Sequence, residues 1–209
     1  MARTRAANHD QQRNAILEKA AELFADKGFH ATSMSQLAAA CGVSKPLLYH
    51  YAKDKAEMLF SVADSYMDTL VALVASVEAK QLPPDAHLKR LIARFLETYA
   101  SAHDQHRVLV QDVRHLDDAP RQQVADKERA VVAAFARAIA AVEPGVSEKG
   151  LDKVVAMILF GMVNWTFTWL RANGPLTYED MAPLVTGILL DGVHGTLGTA
   201  SKKTNNAPD

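Results

Sequence analysis

Lys45, Tyr49 and His50 are the side chains whose chemistry and spacing ask most plainly for a partner. They fall in the run Ser44-Lys45-Pro46-Leu47-Leu48-Tyr49-His50-Tyr51-Ala52, and a helical turn angle sorts that run into two faces. With Leu48 inward, Tyr51 and Ala52 lie beside it and Ser44 lies one turn earlier. Pro46, Tyr49 and His50 then point away, Leu47 sits at the border, and Lys45 can reach out from the first turn. The outward set suits a nucleic-acid groove. Lys45 can pair with guanine or a phosphate, and Pro46 and Leu47 can pack on thymine methyls. Tyr49 and His50 can donate to phosphate oxygens. A plain surface helix also carries mixed side chains, but aromatic and imidazole groups on the outer side of so short a helix favour the groove.

Such a helix must be held out by its neighbours. Ser33 can cap a short preceding helix, with Gln36 at the reciprocal position of a capping box and Leu37 and Ala38 turned inward. Cys41-Gly42-Val43 breaks that helix, Gly42 being free to take positive φ. Ser44 caps the second helix, and Pro46 falls in its first turn, where a missing N–H costs nothing. Helix, glycine-containing turn and helix at this spacing make the helix-turn-helix unit, whose second helix enters the major groove of DNA. Upstream, a first helix runs from about Asp10 to Lys27 with Ile16, Leu17, Ala20, Leu23 and Phe24 on one face, and Gly28 stops it. Residues 1–9, with Arg3 and Arg5, read as a loose arm. Downstream, Lys53-Asp54-Lys55 opens a fourth helix to about Ala79, where Lys55 and the helix N-terminus can hold a phosphate.

The run A-A-C-G-V-S-K-P-L-L-Y-H-Y-A-K-D-K resembles the DNA-binding signature of the TetR family of one-component bacterial regulators. The resemblance is close from about Ala15 to Leu59 and continues beyond only in length and helical texture. By position, Thr32, Ser44, Lys45, Tyr49, His50 and Lys55 match the family's usual DNA-contact sites. Pro46 stands where a small residue is usual, and Ala52 where an aromatic is usual. The resemblance implies a homodimer bound to a near-palindromic double-stranded operator, and a small ligand that releases the DNA. It also implies a three-helix N-terminal domain and a larger, variable helical C-terminal domain.

The remaining chain reads as helices separated by clear breaks. Leu82-Pro83-Pro84-Asp85 precedes a fifth helix, about Ala86 to His103, and a sixth runs from Gln105 to Leu116. Asp117-Asp118-Ala119-Pro120 opens a seventh, ended by Pro144-Gly145. Ser147 caps an eighth reaching about Asn173, and Thr177 with Asp180 opens a ninth to about Thr196. No strand pattern, internal repeat or glycine-rich phosphate loop interrupts this. The expected fold is all-α, about nine helices, with a helix-turn-helix domain over 1–54, a ligand-binding and dimerisation domain over 55–199 and a disordered tail over 200–209.

The eighth helix is apolar nearly all round, from Val154 to Leu170, and must be covered on most sides. The ninth adds a stripe of Met181, Leu184, Val185, Ile188, Leu189, Val193 and Leu197, with Gly187, Gly192 and Gly195 permitting close approach. Two copies of this pair make a four-helix bundle, the dimer that the resemblance implies. Phe95, Tyr99, Val110, Met157, Phe160 and Trp165 can line an apolar cavity among helices five to eight, with His103, Asn164 and Arg114 as polar contacts. The segments G-M-V-N-W-T-F-T-W-L-R-A-N-G-P-L-T-Y-E-D and V-R-H-L-D-D-A-P-R resemble a TetR subgroup responsive to acyl-CoA thioesters. That resemblance implies an acyl or aryl tail in the cavity, and Arg90, Arg94 or Arg114 are suited to the nucleotide phosphates.

Composition narrows the classes further. Of 23 Lys/Arg and 24 Asp/Glu, residues 1–60 hold 8 and 6, leaving 15 and 18 for the rest. One end is mildly basic and the other acidic, as expected where only one end meets phosphate. A single cysteine, Cys41, admits no internal disulfide and no cysteine-based zinc site, which suits a reducing cytoplasm. The apolar run Val154 to Trp169 is too short and too interrupted by Asn164 and threonines to span a membrane. His103, Asp104, His106, Asp112 and His115 read as surface polar residues rather than metal ligands, and Asp117-Asp118 as a helix cap rather than an acid–base pair. No nucleophile elbow, metalloprotease or P-loop motif is present, so no enzyme, metal or cofactor is expected. The rival to a regulator is a hydrophobic-ligand carrier without operator selectivity.

Overall fold

The computed structural model describes residues 2–171 and 174–200, with side chains described for residues 9–171 and 174–192. Ten α-helices account for the described elements: α1 (Ala2–Lys27), α2 (Met34–Ala40), α3 (Lys45–Tyr51), α4 (Lys55–Glu78), α5 (Pro84–Ser101), α6 (His103–Asp112), α7 (Asp118–Val142), α8 (Pro144–Glu148), α9 (Asp152–Asn164) and α10 (Tyr178–Ala200). Two 3-10 turns, Val113–His115 and Trp165–Thr168, follow α6 and α9. The all-α expectation holds, with no strand among the described residues. The chain divides into two compact units, Met1–Thr69 with Ala102–Glu128, and Leu70–Ser101 with Arg129–Asp209.

In the first unit, Ile16, Ala20, Phe24, Leu37, Leu48, Met58 and Leu59 are buried, drawn from α1 to α4. α1 also packs along α6. α4 is opened by Asp54, whose carboxylate accepts the Glu57 N–H at 2.8 Å, while the Glu57 carboxylate accepts the Lys53 N–H at 2.5 Å. Lys127 of α7 ties itself to α4 through Asp64 at 2.6 Å and Asp68 at 2.5 Å. α1 begins at Ala2, not Asp10, so the expected loose arm is helical. Its first turns carry no apolar stripe, the signal that periodicity needs, yet Ala, Arg and Gln are good helix formers with no Gly or Pro among them.

In the second unit, Phe95, Phe135 and Phe160 form the centre of the core. Phe135 meets Phe95 edge-on at 4.8 Å and Phe160 at 4.9 Å between ring centroids, a favoured aromatic geometry. Tyr99 closes the cluster by donating its hydroxyl to Asn164 Oδ1 at 2.8 Å. α10 lies along α5 and touches α8 and α9. Thr177 and Asp180 cap it reciprocally, the Asp180 carboxylate accepting from the Thr177 N–H at 2.8 Å and hydroxyl at 2.7 Å. Those bonds hold the Asp180 carboxyl below its usual range.

The single eighth helix expected from the sequence is three pieces instead. Pro144 starts the short α8 at a position that tolerates proline, and Gly150, at φ +65°, ends it before α9. Beyond Asn164 the Thr166 and Thr168 hydroxyls donate to the Val163 and Trp165 carbonyls at 2.6 and 2.7 Å. Such bonds compete with the α-helical ladder, and the chain tightens to a 3-10 turn. The sixth helix likewise begins earlier, at His103, and gives way to a 3-10 turn after Asp112. Asn173, the side chains of Val193 and Leu197, and the tail 201–209 lie outside the described residues.

Candidate nucleic-acid interface

Local hydrogen bonding builds the α2–α3 unit. Ser33 is the N-cap of α2, its hydroxyl accepting the Gln36 N–H at 3.3 Å while Gln36 Oε1 accepts the Ser33 N–H at 2.9 Å. Gly42 takes φ +64° in the turn. Ser44 caps α3 by accepting the Leu47 N–H at 3.3 Å, and Pro46 sits in the first turn. Cys41 packs at that turn with Sγ 3.7 Å from the Ile16 carbonyl, and burial raises its thiol above the usual range. It is a packing residue held as the thiol.

The faces of α3 fall out cleanly. Leu48 and Ala52 are buried, while Lys45, Pro46, Tyr49 and His50 are exposed, Tyr49 to 51%, and Leu47 is half-buried at the border. Among the described residues this outer face stays exposed, and it offers a cation, a phenol, an imidazole and two apolar edges in under two turns. The other two positions matched by resemblance make bonds within the chain. Thr32 is 2% exposed and donates its hydroxyl to the Gly28 carbonyl at 2.9 Å. Lys55 Nζ donates to the Phe29 and His30 carbonyls at 2.7 and 3.3 Å and stands 4.4 Å over the Phe29 ring. Both brace the α1–α2 connector.

A further support went unread in the sequence. Tyr51, at the end of α3, donates its hydroxyl to Gln12 Oε1 at 3.0 Å, and His9 lies 5.3 Å from its ring. The early turns of α1 thus steady the far end of α3. The contact joins residues 39 apart in the chain, beyond the reach of any local spacing signal.

The cavity residues expected from sequence divide between the units. Phe95, Tyr99, Phe160 and Asn164 come together in the second unit around the aromatic core, whereas Met157 and Trp165 of that unit are exposed, Trp165 to 63%. His103, Val110 and Arg114 belong to the first unit, with Val110 and Arg114 exposed. Val154, Met157, Ile158, Leu184 and Ile188 form exposed apolar faces on α9 and α10, Ile188 reaching 64%. Among the described residues, a Cβ added at Gly187 would meet nothing within 4 Å.

Comparison with known proteins matches this arrangement over both parts of the chain. Residues 16–62 match the bacterial regulatory proteins of the tetR family, and residues 81–193 match the tetracyclin repressor-like C-terminal domain. A TetR-family transcriptional regulator from Bordetella parapertussis 12822 superposes with a TM-score of 0.80 at 31% identity, covering 86% of this chain and 94% of its own. AibR, solved with isovaleryl coenzyme A and operator DNA, gives 0.73 at 27% identity, covering 85% and 97%. The transcriptional repressor KstR2 of Rhodococcus jostii RHA1 is 25% identical over 185 residues, 87% of this chain and 91% of its own. The chain belongs to the TetR family of transcriptional regulators.

Proposed function

We propose that the chain is a homodimeric repressor that grips a near-palindromic operator through paired α3 helices and is released by a small hydrophobic effector of the acyl-CoA or aryl-CoA class. The observation that carries this reading is the outer face of α3, where Lys45, Pro46, Leu47, Tyr49 and His50 face away from a helix pinned inside by Leu48 and Ala52. Lys45 and the apolar edges read bases, and Tyr49 and His50 hold phosphates. Ser44 sets the helix start, and Thr32 and Lys55 act by fixing the connector beneath α2.

The exposed faces of α9 and α10 support the dimer. Isolated apolar side chains at a surface need no explanation, but two adjoining helices bearing Val154, Ile158, Leu184 and Ile188 outward mark an association surface. Successive major grooves lie about 34 Å apart, so a two-fold pair of readers must hold that spacing. Effector binding shifts the population toward dimers that do not, and ligand and DNA weaken one another reciprocally. The operator and isovaleryl-CoA bound to AibR support the effector class, and the Tyr99–Asn164 pair beside Phe95 and Phe160 supplies an aromatic wall with a polar end.

The test is thermal-shift measurement with isovaleryl-CoA, longer acyl-CoAs and free CoA as control, followed by anisotropy on a duplex selected from a random library. An acyl-CoA should raise the melting temperature beyond free CoA and weaken duplex binding. Duplex affinity should also fall steeply with salt. Affinity indifferent to salt would overturn the DNA contacts, and equal shifts from CoA and its thioesters would overturn the effector class.

A further inference from the structure

Within the first unit, the α1–α2 connector meets the end of α6 through a group of rings that DNA reading does not use. Phe29 stacks on His115 with centroids 5.4 Å apart and planes 10° from parallel. His30 meets the same imidazole edge-on at 4.4 Å. The buried Asp112 carboxylate accepts the Phe29 backbone N–H and stands 3.9 Å from His115 Nε2. Lys55, reaching from α4, bonds the Phe29 and His30 carbonyls. The connector so gripped leads directly to Thr32 and Ser33, the residue that caps α2. Two helices of the reader therefore hang from a junction made largely of imidazole.

We propose that Phe29, His30, Asp112 and His115 form a proton-sensitive clasp that positions the DNA-reading helices, closed when the His115 imidazole is neutral and opened as it takes up a proton. The inference rests on the DNA-binding reading above. Two imidazolium rings at 4.4 Å repel each other, and the Lys55 ammonium and the Arg114 guanidinium add positive charge around them. Asp112 alone opposes this, and it is shared with the Phe29 N–H and with Arg107 and Arg114. Burial first, then His30 and Arg114, lower the His115 pKa below the ordinary imidazole value. The neutral ring is the form the closed clasp favours. Its stabilisation is complete above the ordinary imidazole range and is lost as pH falls through the lowered value. Burial raises the Asp112 carboxyl above its ordinary value, against the lowering effect of His115, the Phe29 N–H, Arg114 and Arg107.

The test compares the full-length dimer with His115→Phe, which keeps a ring against Phe29 but cannot take a proton. Affinity is measured on one duplex selected from a random library, at constant ionic strength, from about pH 7.5 to about pH 5.5. The ratio of wild-type to variant Kd should rise about three- to tenfold across that range, because opening removes preorganisation from the wild-type reader alone. Without DNA, amide exchange of residues 28–33, corrected for its intrinsic pH dependence, should quicken at low pH in the wild type and not in the variant. A constant ratio, or connector exchange indifferent to the substitution, overturns the clasp. Should the wild type bind no duplex at any pH, the DNA-binding reading fails, and connector exchange still decides whether the clasp opens. If His115→Phe does not fold, His115→Gln takes its place with the same flattening expected.

Discussion

The helix-turn-helix unit and the α9–α10 region both present apolar and aromatic side chains at helical spacing, yet the two differ in how their outer faces arise. In α2–α3 every boundary is set within a few residues: Ser33 with Gln36, Gly42 at positive φ, Ser44 with Leu47. Each device acts locally, and so the direction of Tyr49 follows from that of Leu48. In α9 and α10 the outer residues are as apolar as the inner ones. Ile158 is exposed while Leu159 beside it is buried, and Ile188 is exposed while Leu189 is buried. The first region takes its direction from capping chemistry, the second from whichever surface comes to lie against it.

Substitutions can break or sharpen that contrast. Phe135→Ala, at the centre of the second unit's aromatic cluster, should lower unfolding free energy by about 3–5 kcal/mol, read by chemical denaturation. A loss under about 1 kcal/mol would mean the cluster is not the core. Ile188→Asp places a charge on the exposed face of α10 and should leave helical content intact while turning the dimer into monomer by sedimentation. Duplex affinity should then fall on the order of a hundredfold, since one half-site no longer concentrates the second reader. A dimer that survives would move the seam elsewhere. Tyr49→Ala should weaken duplex binding about tenfold to a hundredfold, the range for one good contact, with the dimer unchanged. An unaltered Kd would reverse the face assignment of α3. Ser44→Ala should cost about 1 kcal/mol through loss of the α3 cap, seen as a small fall in Tm, and it should do so in the absence of DNA.

The reader was legible because its grammar is short-range. Ser33, Gly42, Ser44, Pro46 and Leu48 each state their role to neighbours three or four residues away, and the outward set followed by turn angle alone. The bonds of Thr32 and Lys55 were not legible, since a hydroxyl on the Gly28 carbonyl and an ammonium over Phe29 depend on how the chain folds back on itself. The Asp112–His115 contact with Phe29 joins residues far apart in the chain, and no spacing rule reaches across that gap. The eighth helix was over-read because its hydrophobicity is continuous, whereas its backbone breaks where Gly150 turns and where threonine hydroxyls claim carbonyls. Periodicity also missed the start of α1, where polar helix formers carry no stripe.

Gln12, in the first turn of the helix expected from Asp10, and His9, at the end of the expected arm, both reach the end of α3 through Tyr51. Shortening the chain past Gln12 therefore removes the hydrogen bond that steadies Tyr51 and should loosen the end of α3 while leaving Lys45, Tyr49 and His50 in place.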